Sequence, residues 1–168
     1  MKKYLLISAI LLIGVIAFAG TGSALPEWYG QIGSDDFIYG FGQAEGQNFR
    51  ATSSRATAFA MAEASISVET HLQKIIDAIV GEVNIMDLEV VEQIETVARI
   101  VVSQRFSWAK VLNSEVIDLA DGNFKAYIHF AIPKMEVNSH FVNEISYEET
   151  LHDLIKDSFT FKQLESEN

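Results

Sequence analysis

One apolar stripe constrains this chain more than any other feature. Ala56, Ala60, Ala64, Val68, Leu72, Ile75 and Ile79 recur at steps of four or three. That spacing predicts an α-helix from about Asn48 to Val80, with the stripe as its buried face. Arg55, Glu63, Lys74 and Asp77 fall off the stripe. Its first half is alanine and its second half is bulky aliphatic. Small residues let a helix lie close to a sheet. The segment just before it, Phe37-Ile38-Tyr39-Gly40-Phe41-Gly42, reads as a strand. Phe37, Tyr39 and Phe41 would share one face, and Gly40 and Gly42 would leave the other open to close approach. The two segments together predict a glycine-faced strand under an alanine-faced helix.

The remaining elements complete an α+β fold. Gly81 is the expected stop of the long helix. Residues 84–103 suit a second helix through Ile85, Leu88, Val91, Ile94 or Glu95, Ala98 and Val101, but Val90-Val91 and Ile100-Val101-Val102 are β-branched. The expectation is a helix to about Arg99, then extended chain through Phe106-Ser107-Trp108. Glu115–Ala120, Asp121-Gly122 and Asn123–Ile132 form a hairpin pattern around an Asp-Gly turn. In its return strand Phe124, Ala126, Ile128, Phe130 and Ile132 point one way, and Lys125, Tyr127, His129 and Ala131 the other. Pro133 ends the strand. The tail from Lys134 is helical, with Ser146 and Glu149 as a capping box and Leu151, Leu154, Ile155 and Phe159 as its apolar face. The predicted architecture is a long Ala-rich helix on a small antiparallel sheet of strand-helix-strand-strand order, followed by a helical C-terminal tail.

The 168 residues carry a net charge of −11 and no cysteine. The absent cysteine excludes a disulfide framework, thiolate metal sites and a cysteine nucleophile. The opening is different in character. Lys2-Lys3 precedes an apolar run from Tyr4 to Gly20, then Thr21-Gly22-Ser23-Ala24. A basic start, an apolar run and small residues describe an export signal, cleaved after Ala24 or Ala19. The alternative is a retained anchor helix. Both place the bulk of the chain outside the cytoplasm. Without residues 1–24 the remainder has ten basic and 23 acidic residues, net −13. Such a balance argues against nucleic acid, whose phosphates are neutralised by Lys and Arg. It also repels anionic headgroups unless an apolar element docks. The organisation read here is a signal or anchor over 1–24, an α+β domain over 25–133 and a tail over 134–168.

No motif carries chemistry. Gly40-Phe41-Gly42-Gln43-Ala44-Glu45-Gly46 lies between strand and helix, as a dinucleotide loop would. Its spacing is wrong, Glu45 would face the phosphates, and no parallel β-α-β unit follows. A close-packed strand-to-helix turn is the better reading. His71, His129, His140 and His152 lack zinc spacing and read as solvated or edge residues, with His129 on the outward strand face. Asp35-Asp36, Glu148-Glu149, Asp118 and Asp121 sit at helix starts and turns, where acids have structural reasons to be. The serines lack a nucleophile motif. The expectation is therefore no enzyme, with no catalytic, cofactor-binding or metal residue, no cofactor and no small-molecule substrate. The aromatics are expected to be mostly core, with some of the lead-in (Trp28, Tyr29) and of the tail (Phe141, Tyr147, Phe159, Phe161) as candidate anchors for a partner, the tail being the better of the two.

Pro26-x-Trp28, Tyr39-Gly40-x-Gly42-x-Ala44, and a helix bearing Arg55-Ala56, Ala60 and Ala64 resemble the LPP-twenty lipoprotein family. Phe124-Lys125-Ala126-Tyr127-Ile128 is similar to the Tyr-bearing strand of that family's second half. The resemblance covers roughly residues 26–133. It implies a non-catalytic bacterial envelope protein, often at the outer membrane, with some relatives in rings or disks around the flagellar motor. One departure matters: Thr21 follows Ala19-Gly20 where a lipoprotein needs Cys, so the resemblance implies no lipid anchor. The expected partners are further copies or other envelope proteins, with membrane association as a further expectation. Trp28, Tyr39, Gly40, Gly42, Ala56 and Ala60 are expected to define the fold. The alternative function is a periplasmic module binding a small ligand or envelope component between helix and sheet.

Overall fold

Asn48 is extended and its side chain accepts a hydrogen bond from Ala51 N, so the first long helix starts where the sequence places it. The structure is a computed structural model that describes residues 25–104, 106 and 108–167; the predicted leader lies outside them. Along the chain come β1 (Phe37–Gly46), α1 (Phe49–Val83), α2 (Leu88–Ser103), β2 (Lys110–Asp118) and β3 (Phe124–Pro133). They are followed by α3 (Lys134–Tyr147), α4 (Glu149–Ile155) and α5 (Phe159–Ser166). The strands form one antiparallel sheet in the order β1-β3-β2. The fold is α+β, with the Ala-rich α1 on the sheet and a helical C-terminal region.

Gly40 and Gly42 lie in β1 directly beneath α1. A Cβ on Gly40 would collide with the Ala60 carbonyl and come within 2.6 Å of Ala64 N. One on Gly42 would collide with the Ala56 carbonyl and come within 2.5 Å of Ala60 N. Helix and strand therefore meet backbone to backbone, which only residues without bulk on either side allow. Ala56, Ala60 and Ala64 are completely buried. Further along, Val68, Leu72, Ile75, Ile76 and Ile79 need a deeper partner. They share one buried cluster with Ile94, Val97 and Val101 of α2, Phe141 and Ile145 of α3, and Phe161 of α5. The C-terminal helices thus fill the half of α1 that the sheet does not reach.

Several boundaries depart from the sequence reading. Helix α1 passes through Gly81 and stops at Asn84, which is left-handed at φ 52. Asn tolerates that conformation, and the backbone N–H of Asn84 bonds the Val80 carbonyl. Helix α2 starts after Asp87, whose carboxylate accepts from Glu89 N at 2.9 Å. It continues past Arg99 to Ser103 because Val101 belongs to the same buried face as Ile94, Val97 and Ala98. Tertiary burial outweighs the β-branched preference there. The hairpin forms, but its turn is wider than the Asp-Gly pair: β2 ends at Asp118 rather than Ala120, Gly122 at φ +80 donates its N–H to the Leu119 carbonyl at 3.0 Å, and Leu119 N donates to the Asn123 carbonyl at 2.7 Å. Its first strand, however, begins earlier, at Lys110. Ser146 caps nothing. It sits inside α3 and its hydroxyl donates to the Val142 carbonyl. In the tail Leu151 and Ile155 are buried, but Leu154 and Phe159 are exposed and Phe161 and Leu164 take their places.

Candidate functional site

The glycine-rich segment holds no phosphate cradle. Gly40 to Gly46 is strand throughout, not a turn. Gly40 and Gly42 are covered by α1, and a Cβ on Gly46 would meet the Arg55 guanidinium. The close contact also leaves no room at these positions for a ligand between helix and sheet.

Of the carboxylates singled out in the sequence, two hold local structure, while Asp35, Asp118, Glu148 and Glu149 are exposed. Asp121 accepts from Asn123 N at 2.9 Å, and Asp36 accepts from the Ser34 hydroxyl at 2.6 Å. Glu82, which the sequence reading overlooked, reaches from α1 to the start of α5. It accepts from Ser158 Oγ at 2.6 Å, Thr160 N at 2.9 Å and Thr160 Oγ1 at 2.6 Å. Those hydrogen bonds, the one from Ser158 foremost, hold its carboxyl down at about 2. The only local signal was Ser158 ahead of an apolar run, an N-cap pattern. Among the described residues no three His, Asp or Glu side chains gather as metal ligands.

Three of the four histidines are part-buried, as edge residues would be, and the fourth is not. His71 Nε2 lies 2.8 Å from Asn138 Oδ1, and burial, aided by Lys134 and Lys74, pushes its pKa down against that bond. His140 packs beside Trp108, and His152 lies 3.2 Å from Glu165. His129 departs furthest. The sequence places it outward on β3, and the structure does too, but that face is covered. His129 is 5% exposed and Tyr127 is fully buried. Phe41 stacks on the His129 ring at 4.5 Å, and Trp28 lies parallel to it at 6.2 Å. Tyr29 packs edge-on to both Phe41 and Tyr127. The lead-in therefore folds back as a lid instead of presenting Trp28 and Tyr29 to a partner. The Asn113 amide sits 3.3 Å from His129 Nδ1. His129 Nε2 and the Tyr127 hydroxyl have no partner among the described residues. Desolvation lowers the His129 pKa, because burial disfavours the charged ring.

The two sheet edges are treated differently. On the β1 edge, Phe41 N donates to Glu63 Oε2 at 2.9 Å, and Arg55 Nη2 donates to the Glu45 carbonyl at 2.9 Å. Both side chains come from one row of α1, with Phe59 between them. The β2 edge has no such cover among the described residues. Its side chains are largely exposed, Val111 by 50% and Leu112 by 47%. Of the tail aromatics, Phe141 and Phe161 are core, while Tyr147 and Phe159 are exposed. An open groove between α2 and α4 carries Glu89, Glu92, Thr96, Ile100, Glu148 and Leu151, with no convergent polar network.

Comparison of the chain with models of protein families, with curated proteins and with solved structures finds no match.

Proposed function

We propose that this is a non-catalytic cell-envelope protein that works through protein contacts, in an assembly of its own copies or with other envelope proteins. The observation that carries the reading is the open β2 edge. Unpaired strand N–H and C=O groups beside exposed Val111 and Leu112 form a template for another strand. The described residues are in keeping with it: no three His, Asp or Glu side chains gather among them. Export is supported by the leader pattern over 1–24, and the envelope by the resemblance of residues 26–133. Among the described residues no helix is long and apolar enough to cross a membrane.

The test combines location with mass. Cell fractionation with N-terminal sequencing should find the chain in the envelope or periplasm. Light scattering over a concentration series should give a mass that rises above the monomer. A clean monomer at the highest concentration, or a cytoplasmic chain, overturns the proposal.

A further inference from the structure

The chemistry of the β2 edge narrows what can sit on it. The ladder with β3 sets which side chains share a face. Lys110, Asn113 and Glu115 stand opposite Ala131, His129 and Tyr127, and so lie on the outer face. Val111, Ser114 and Val116 stand opposite Phe130, Ile128 and Ala126, on the helix side. Leu112 is the extra residue of a bulge between Val111 and Asn113. In ladder positions, Lys110 and Glu115 are therefore equidistant from Asn113, one on either side. A two-fold axis through Asn113, normal to the sheet, would bring two β2 strands together antiparallel. It would put Lys110 of each copy opposite Glu115 of the other, and Val111 opposite Ser114. An axis through Glu115 would oppose like charges instead.

Self-pairing also answers a problem of charge. Two copies of a chain at net −13 over residues 25–168 repel one another. A contact between them needs opposite charges placed where they meet, and this strand supplies a pair twice over. The competing edge is closed, because Glu63 and Arg55 already occupy β1.

We infer that β2 is the docking edge for β2 of a second copy, joined antiparallel about Asn113 into a continuous six-stranded sheet. Helix α1 packs on β1 and β3, so the two α1 helices lie away from the new seam and do not clash across it. The joint is isologous, and the same strand serves both copies. This inference rests on the self-association reading above.

The experiment is charge exchange across the seam, read by co-purification of two differently tagged full-length copies expressed together. Wild-type copies should co-purify. Lys110→Glu in both copies, or Glu115→Lys in both, opposes like charges twice and should cut recovery by roughly tenfold or more. Lys110→Glu in one copy with Glu115→Lys in the other restores opposite charges at both ends, and recovery should return. That rescue cannot come from a misfolded chain. If wild-type copies co-purify and neither reversal reduces recovery, the β2 seam is overturned while self-association stands. If wild-type copies never co-purify, the seam falls; light scattering of the wild type then decides separately whether self-association falls with it.

Discussion

The two faces of the sheet are packed by opposite means. Beneath α1 the contact is backbone on backbone, made by Gly40 and Gly42 against Ala56, Ala60 and Ala64. On the outer face the contact is ring on ring, with Trp28 and Tyr29 closing over Phe41, Tyr127 and His129. The first has no free volume and no tolerance for a methyl group. In the second, part-exposed Trp28, Tyr29 and Phe41 cover buried Tyr127 and His129 at ring spacings of 4.5–6.2 Å, over polar atoms that have no partner among the described residues. A sheet held so unequally should respond unequally to substitution.

The largest effect is expected on the helix side. Gly42→Val must push α1 off the sheet, and we expect a loss of about 4 kcal/mol or no stable fold. Urea unfolding followed by circular dichroism reads it, and an unchanged midpoint would remove the close approach from this account. The outer face should yield less. Trp28→Ala removes a half-buried ring, so about 2 kcal/mol is expected rather than the roughly 3–5 of a fully buried one. A loss as great as that of Gly42→Val would show the lid to be as integral as the helix contact.

The smallest effect is titration of His129. Its folded pKa lies below the unfolded value because burial disfavours the cation. Stability from this group is therefore full above the unfolded histidine pKa and is lost as pH falls toward the folded one. Wild type should lose stability between about pH 7.5 and about pH 5, the range around the unperturbed histidine value. His129→Phe should flatten that slope by the share His129 contributes, with His71 left to account for part of the remainder. Identical slopes would show that His129 titrates alike in the folded and unfolded chain, against its burial lowering the pKa.

The helix side was legible in advance because its signal is local. Gly40 and Gly42 alternate with aromatics, and the alanines that meet them begin about two turns after Asn48 and repeat every four residues. Neighbours in sequence became neighbours in space. The outer face was misread for the converse reason. Lys125, Tyr127 and His129 look like a solvent-facing row, and nothing near them says that Trp28, about a hundred residues earlier, will cover them. A separation of 76 residues likewise hides the bond between Glu82 and Ser158. Helix ends were missed by a few residues where burial decided them, as at Val101, or where Asn84 took a left-handed turn that Gly81 had advertised.

By itself the sequence determined the strand-helix unit, the Asp-Gly hairpin and the helical tail, because periodicity, glycine placement and turn chemistry act over a few residues. Only the tertiary structure decided which edge stays open and which face is covered. Those outcomes depend on side chains reaching across from other elements: Glu63 and Arg55 onto β1, and the lead-in rings onto His129. A strand carries no mark of its own that says whether another element will arrive beside it.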